Sequence, residues 1–248
     1  MENQGGKFKF KEIDTEGEET LDVIRFADKF NKWMFETIRP HCQGNILEIG
    51  SGLGNISQFF LAENAQITLS DIRSNYCKNL KKHFGKSTGL QAVCLMDLTD
   101  EAFDQKFKHL FNSFDTVFAL NVVEHIFEDE LAVANCKKLL KEGGTLLILV
   151  PSYAFLYNDI DRSLEHYRRY NKKSLSLLFS KNKMTIIKKS YFNFMGIFAW
   201  FISGKLQGNK TIPQGQMKLY NLLVPFFRII DILTFRRVGL STIVVGQK

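Results

Sequence analysis

The chain has 248 residues, of which 45% are hydrophobic and 24% charged, a composition that predicts a globular protein with a substantial core. Its four cysteines lack C-x-x-C spacing, which argues against a zinc site or a disulfide framework and favours a reducing, cytoplasmic location. The net charge of +7 is unevenly distributed, because residues 162–248 contain sixteen Lys/Arg and only two Asp/Glu.

This basic C-terminal third predicts an anionic neighbour. The candidates are a phosphorylated or carboxylated substrate, an anionic membrane surface and nucleic acid. The alternative is a basic face that simply lies in solvent.

Predicted helices and strands alternate along the chain. Residues 1–20 are predicted as a polar tail without a secretory signal, and apolar positions at helical spacing predict a helix over 21–38 that ends before Pro40. Five apolar runs predict strands at residues 45–49, 66–70, 90–96, 116–120 and 145–150. Strands that alternate with helices indicate a parallel sheet, with ligands at the carboxyl ends of the strands.

The C-terminal part is expected to complete this sheet. A loop covers residues 151–171, a helix over 172–179 has Asn171 as its N-cap, and a sixth strand covers 184–191. An apolar, basic, helical insert at 192–238 precedes the last strand at 241–246. The expected fold is therefore α/β: residues 21–248 form one domain with a doubly wound, mostly parallel seven-stranded sheet and helices on both faces.

A glycine-rich turn follows the first predicted strand, with the sequence Glu48-Ile-Gly50-Ser-Gly52-Leu-Gly54. Such a turn lets the backbone approach a ligand closely. A dinucleotide-binding loop has its third glycine one position later, where this chain has Asn55. Glu48 also suits a positively charged ligand better than a phosphate. The pattern therefore favours a ligand with an ammonium or sulfonium group.

Acidic residues end the next two predicted strands. Asp71 lies twenty-three residues after Glu48, where a carboxylate can accept hydrogen bonds from both hydroxyls of a ribose. Asp97 follows the third strand, where its carboxylate can accept a hydrogen bond from the exocyclic amine of adenine. Either aspartate alone is also compatible with a helix N-cap, but the set favours a nucleoside-containing ligand.

These features resemble the class I S-adenosylmethionine-dependent methyltransferases, and within them the small-molecule, type 11/12 branch that includes ubiquinone-biosynthesis O-methyltransferases. The resemblance covers about residues 25–190 and includes Asn121-Val-Val-Glu-His125-Ile after the fourth strand. It implies a Rossmann-like domain that transfers a methyl group from S-adenosylmethionine to a small-molecule acceptor and leaves S-adenosylhomocysteine. The cofactor-binding residues that it implies are Glu48, Gly50, Ser51, Gly52, Gly54, Asn55, Asp71, Ile72, Asp97, Leu98, Asn121 and Val122.

By the same resemblance, the leading helix covers the methionine end of the cofactor. The residues expected there are Phe26, Phe30, Asn31 and Trp33. The alternative is that these side chains only pack in the core, as aromatic residues at helical spacing commonly do.

Two histidines are the candidate catalytic residues. Methyl transfer is an in-line displacement that needs a general base only when the acceptor is a hydroxyl or a protonated amine. His125 and His166 qualify because imidazole titrates near neutral pH. For His125 the alternative is that the Glu124-His125 pair only orders its loop. No cluster of ligands stands out at metal-binding spacing, so no metal site is predicted.

The loop after the fifth strand contains the predicted acceptor site. Adjacent arginines, two tyrosines and an Asp-His pair can bind an anion beside a base, which indicates a phosphate-, carboxylate- or sugar-bearing acceptor. The alternative is that these side chains only pack the loop and start the next helix. The predicted acceptor-binding residues are Asp161, Tyr167, Arg168, Arg169 and Tyr170.

The insert at 192–238 has two interpretations. Its first apolar run is only eleven residues long, too short to span a bilayer. In residues 217–235, Asn221, Arg228 and Asp231 form a polar stripe, and Pro225 is expected to interrupt the helix. In the first interpretation, the insert rests on an anionic membrane and admits a lipid-linked acceptor. In the second, it is a lid on a monomer or the contact surface of a homodimer.

The sequence supports two other functional classes less well. A nucleic-acid methyltransferase would exploit the basic third, but the Asn/Asp-Pro-Pro-aromatic sequence of amino-methylating DNA enzymes is replaced here by Asn121-Val-Val-Glu. A non-catalytic module that binds S-adenosylmethionine is the second alternative.

Overall fold

The computed structural model describes residues 15–248, which form a seven-stranded sheet with helices on both faces. The strands are β1 (Ile46–Ile49), β2 (Ile67–Asp71), β3 (Leu90–Leu95), β4 (Phe114–Leu120), β5 (Leu140–Pro151), β6 (Thr185–Phe192) and β7 (Ser241–Gln247). The α-helices are α1 (Thr15–Arg25), α2 (Asp28–Ile38), α3 (Ser57–Ala62), α4 (Ser74–Phe84), α5 (Phe103–Phe107), α6 (Asp129–Leu139), α7 (Asp159–Ser163), α8 (Lys172–Lys181), α9 (Phe194–Trp200) and α10 (Gln214–Leu233).

The strand order is β3-β2-β1-β4-β5-β7-β6. Strands β1 to β5 are parallel, and β7 lies antiparallel between β5 and β6. The predicted doubly wound, mostly parallel seven-stranded sheet is confirmed, with the insert before the last strand. The chain reverses its winding direction between β1 and β4, and a crevice for ligands lies outside the carboxyl ends of strands at such a switch point.

The core has one layer on each face of the sheet because successive strand residues point to opposite faces. In β4, Val117 packs in one layer and Phe118 in the other, and both are fully buried. In β5, Leu146 and Leu147 divide in the same way. Burying each such side chain contributes roughly 1.5–3 kcal/mol, so the central strands form a rigid support for the loops at their ends.

The leading segment differs from the predicted single helix over 21–38. It consists of α1 and α2, which are separated at Ala27, where ψ is 64°. The side-chain amide of Asn31 donates to the Ile24 carbonyl over 2.8 Å and stabilises this corner. Residues 15–20, predicted as part of the tail, belong to α1, and residues 1–14 of the predicted tail lie outside the described residues.

The insert consists of α9, a π-helical turn (Phe201–Leu206) and α10. The prediction that Pro225 interrupts the second helix is wrong, because α10 continues through it. Contacts with the domain hold the helix on both sides of the proline: Asn221 accepts from the Phe30 N–H, and Asp231 accepts from the Asn193 N–H. Within residues 15–248, no helix has the length and hydropathy needed to cross a bilayer.

Candidate active site

The glycine-rich loop between β1 and α3 has a backbone that only glycine adopts readily. Gly50, Gly52 and Gly54 have φ values of 69°, 53° and 80°. A Cβ on Gly50 would lie 2.4 Å from Cγ2 of Val122, the second residue after β4. The loop and the end of β4 therefore touch at the switch point.

Asp71, the last residue of β2, is fixed against this loop. One carboxylate oxygen accepts from the Gly52 N–H and the other from the Arg73 N–H, each over 2.9 Å. Burial raises the pKa of Asp71, although these two hydrogen bonds oppose the shift. Each oxygen retains a further lone pair, so the carboxylate can also accept from a ligand hydroxyl.

Glu48 lies below the loop in β1 and is buried. The Ser57 hydroxyl at the start of α3 donates to its carboxylate. Burial raises the pKa of Glu48 to about 8, against the effect of the serine hydrogen bond. A positively charged ligand nearby would favour the ionised form.

The remaining residues at the strand ends are more open. Asp97 is half-buried, and its Oδ1 accepts from the Thr99 N–H and hydroxyl over 2.7 and 2.8 Å, a local turn. The helix N-cap alternative does not apply to Asp97, because the next helix begins at Phe103 and this contact is a local turn. Asn121 is exposed and has a φ of 53° at the end of β4. Ile72 and Val122 are half-buried, and Leu98 and Ser51 are buried.

The leading segment does not cover the cleft with the predicted residues. Trp33 packs against Phe192 with ring centroids 4.5 Å apart, and Phe30 packs against Phe192 and Tyr220, so both belong to the core between α2 and α10. Phe26 is 68% exposed.

Leu21 of α1 takes the position over the glycine loop that sequence reasoning gave to the aromatic residues. A Cβ on Gly52 would lie 3.2 Å from its side chain. Asn55 of the loop donates to the Leu21 carbonyl over 3.2 Å. The apolar spacing includes Leu21 but does not reveal the corner at Ala27, which is what brings α1 over the loop.

Asp161 organises the loop after β5. Its carboxylate is completely buried and accepts from His166 Nδ1 and Arg169 Nε, both over 2.8 Å, and from the Asn158 N–H over 3.0 Å. Burial opposes ionisation, yet the hydrogen bond from His166 and the charge of Arg169 lower the pKa of Asp161 below its ordinary value. Because an ionised carboxylate only accepts, His166 carries its proton on Nδ1 and leaves Nε2 as a free acceptor.

The predicted anion grip by two arginines is not what the structure shows. Arg169 is 1% exposed, donates to Asp161 and to the Ser152 carbonyl, and stacks over Trp200 at 4.8 Å. Arg168 pairs with Asp129 over 2.8 Å. Both guanidinium groups serve internal carboxylates, so neither is an open anion site.

The two tyrosines are also part of the internal structure of the loop. Tyr170 is buried, and its hydroxyl donates to Asp129 over 2.7 Å. Tyr167 packs edge to face on Phe127, and its N–H donates to the Glu124 carbonyl over 2.8 Å. These bonds attach the loop to the segment after β4 and support the packing alternative for Tyr170.

His125 and His166, considered separately in the sequence, come together with Glu124. The imidazole centroids lie 4.5 Å apart, and one potential ligand atom from each of the three residues lies within 4.8 Å of the others. Burial lowers the pKa of His166, although Asp161 opposes this. Burial raises the pKa of Glu124 to about 8. Spacing along the sequence does not signal this cluster, because only the fold brings the three side chains together.

The comparisons with known proteins agree with this architecture. Residues 47–146 match the family model described as Methyltransferase domain. The PKS-NRPS hybrid synthetase cheA of Chaetomium globosum is 26% identical over 136 residues, which are 53% of this chain and 3% of that protein. The ubiquinone biosynthesis O-methyltransferase of Xanthomonas oryzae pv. oryzae is 26% identical over 103 residues, which are 42% of this chain and 41% of that protein. The chain thus spans less than half the length of these relatives.

A solved structure extends the likeness of fold to nearly the whole chain. The phosphoethanolamine N-methyltransferase 2 of Haemonchus contortus, in complex with phosphomonomethylethanolamine and S-adenosylhomocysteine, has a TM-score of 0.59 at 16% identity. The superposition covers 96% of this chain and 60% of that one. Over residues 47–146 the chain is therefore similar in sequence to methyltransferase domains, and over nearly its whole length it shares the fold of a solved methyltransferase.

Proposed function

We propose that this protein transfers a methyl group from S-adenosylmethionine to a small-molecule acceptor by in-line displacement. The observation that carries the proposal is the glycine-rich loop at the switch point, fixed by Asp71 through the Gly52 N–H and touching Val122 at the end of β4. Acids at the ends of neighbouring strands on this cleft suit a nucleoside with a cationic sulfur.

The residues present fit this cofactor. Asp71 can accept hydrogen bonds from the ribose hydroxyls, and the unused oxygen of Asp97 can accept from the adenine amine. Asn55 Oδ1 is buried without a hydrogen-bond partner among the described residues, and an ammonium group of the methionine moiety would satisfy it. When bound, the cofactor supplies a methyl group already activated by its sulfonium.

The protein's own task is then to position and desolvate the reactants, which accounts for roughly 7–11 kcal/mol of barrier reduction in well-oriented reactions. His166 suits the role of a base, because Asp161 holds its proton on Nδ1 and Nε2 can accept a proton from an acceptor hydroxyl. Its lowered pKa keeps the ring neutral at pH 7.

Cofactor binding tests the site directly. Asp71→Asn removes the charge that the ribose hydroxyls would meet, and we expect calorimetry to show about 10–100-fold weaker binding of S-adenosylmethionine. Asp104→Asn, in an exposed pair with Lys138, is the matched control and should bind normally. Equal affinity in the two variants would remove Asp71 from the site.

For the acceptor, we propose a lipid-linked molecule that is reached from an anionic membrane surface. The support is the orientation of α10, whose polar side chains face the domain. Asn221 donates to Asp28, Arg228 pairs with Glu36, and Asp231 accepts from two backbone N–H groups. The opposite face is apolar and 55–70% exposed, at helical spacing. This apolar face consists of Leu219, Leu222, Phe226, Ile229 and Leu233.

Charge favours a lipid over a second protein copy as the occupant of this apolar face. Residues 192–238 contain six Lys/Arg and one acid, Asp231, which is buried. Two like-charged insert surfaces would repel each other across a dimer interface, whereas anionic headgroups would be attracted at about 1 kcal/mol per basic residue near the surface. An apolar stripe with basic neighbours is the pattern of a helix lying in the membrane interface.

Vesicle binding separates these occupants. We expect the protein to sediment with vesicles of phosphatidylglycerol and phosphatidylcholine, and Phe226→Glu to abolish this. Leu177→Glu, at an equally exposed leucine of α8 beside lysines, should leave it unchanged. If Phe226→Glu instead converts a dimer to a monomer in light scattering and vesicles never bind, the apolar face is a dimer surface.

Turnover of labelled S-adenosylmethionine across lipid and polar metabolite fractions identifies the acceptor class. Label in the lipid fraction supports the proposal, and label only in polar metabolites restricts it to methyl transfer. Binding of the cofactor without turnover in any fraction favours the non-catalytic module. A salt-dependent shift of mixed oligonucleotides would favour the nucleic-acid alternative.

A further inference from the structure

We propose that Glu124, His125 and His166 bind one divalent transition-metal ion, with an open coordination position for an anionic oxygen of the acceptor. The second part rests on the proposed function; the first does not. Glu124 and His125 lie in the segment after β4, and His166 lies in the loop after β5. A hydrogen bond from the Tyr167 N–H to the Glu124 carbonyl joins these two segments. Their ligand atoms already lie within 4.8 Å of one another.

The unpartnered carboxylate of Glu124 is the first argument. The residue is completely buried, and neither of its carboxylate oxygens has a hydrogen-bond partner among the described residues. Buried acids are normally paired or bound to a metal, because an uncompensated charge in a low-dielectric environment is unfavourable. Arg169 is close enough to influence Glu124, but its hydrogen bonds go to Asp161 and Ser152. The carboxylate therefore lacks a direct partner.

The second argument is the orientation of the histidines. A ligating histidine usually donates its other ring N–H to a carboxylate or a backbone carbonyl, which fixes the free nitrogen toward the ion. His166 does this with Asp161 over 2.8 Å, so the Nε2 lone pair that would act as a base in the metal-free protein would bind the ion instead, and the ion would then activate the acceptor oxygen in its place. The Leu164 carbonyl lies close enough to His125 to act as its outer partner. Both outer partners come from the loop after β5, so this loop sets both ligands.

The donor set indicates the kind of ion. Two imidazoles and a carboxylate suit Zn²⁺ and neighbouring transition metals better than Mg²⁺ or Ca²⁺, which prefer oxygen ligands. Three protein ligands with one open position are typical of catalytic zinc. Ligand atoms in a tetrahedral zinc site are about 3.4 Å apart, so metal binding would draw these atoms closer together than the 4.8 Å within which they now lie.

The open position would face solvent, because His125 is the exposed member of the set. His125 lies three residues beyond Val122, which touches Gly50 of the cofactor loop. An ion here would therefore hold a phosphate, carboxylate or phenolate oxygen beside the cofactor cleft. It would provide the positive charge that the sequence assigned to Arg168 and Arg169.

Binding of ZnCl₂ and CoCl₂ by the chelator-treated full chain tests the proposal. We expect one equivalent of Zn²⁺ with a micromolar or lower Kd, and visible Co²⁺ absorption bands that shift when phosphate is added. His125→Ala and Glu124→Gln should each weaken metal binding at least 10-fold. His109→Ala, at an exposed histidine outside the set, should not change it.

The failures are distinguishable. Stoichiometric binding that survives both His125→Ala and Glu124→Gln would overturn the assigned ligands, and the absence of binding would overturn the site. Co²⁺ bands that do not respond to phosphate or to a carboxylate would overturn the open position. None of these results depends on turnover, and S-adenosylmethionine affinity measured in the same variants reports separately on the proposed function.

Discussion

Replacing Arg169 with methionine is expected to destabilise the fold and not merely to weaken acceptor binding. The Arg169 side chain is 1% exposed, and its Nε donates to Asp161, which is completely buried. Removing one partner of such a pair leaves a buried charge incompletely compensated, at about 3–5 kcal/mol. For a chain of this size, that loss lowers the Tm by roughly 6–20 °C.

Arg168→Met is the matched control. Its side chain is 35% exposed, and the Asp129 carboxylate keeps the hydrogen bond from Tyr170, so we expect a smaller loss of about 1–2 kcal/mol. Thermal unfolding followed by circular dichroism compares the two variants at equal concentration. If Arg169→Met melts with the wild type, Arg169 does not hold the loop, and the sequence-based interpretation of a free anion grip regains support.

Three further outcomes follow from the geometry. Gly50→Ala should weaken S-adenosylmethionine binding and lower the Tm, because its Cβ would lie 2.4 Å from Val122 at a φ of 69°; calorimetry and melting measure both. Burial raises the pKa of Glu48 and Glu124 from 4.5 to about 8, so the native metal-free chain binds more protons than the unfolded chain between these values. The free energy of unfolding should therefore fall between pH 6.5 and 8, by up to about 1.4 kcal/mol per pH unit for each group, and urea titrations of the Gln variants should show a flatter profile. Asp231→Ala leaves two backbone N–H groups unpaired and should cost about 2–3 kcal/mol in urea unfolding; no loss would mean that α10 is not anchored there.

The sheet was predictable because its signals are local. Apolar runs locate every strand of the sheet to within a few residues, with the largest difference at the start of β5, Leu140 instead of residue 145. The glycine spacing likewise identifies the turn after β1, whose positive φ values require glycine at positions such as Gly50 and Gly54. Such patterns depend on backbone periodicity and φ, which neighbouring residues determine.

The fate of the charged side chains was not predictable in the same way. Arg168 and Tyr170 meet Asp129, some forty residues away, and nothing in the sequence between them signals this pairing. The polar stripe of α10 was visible, but which side faces the domain depends on partners such as Glu36 and Asp28. Partners that are distant in the sequence decide whether a polar side chain is available to a ligand or stabilises the fold. The periodicity of the sequence contains no information about these partners.

The contact of Val122 with Gly50 gives the site a mechanical property. Because the valine methyl occupies the space beside the glycine, a shift of the end of β4 toward the glycine-rich loop must move that loop as well. Glu124 and His125 follow directly on that strand end, so a ligand that pulls on them also strains or relaxes the loop. Affinities for cofactor and acceptor should then be linked, and linkage is reciprocal: each ligand should tighten, or loosen, the other by the same factor.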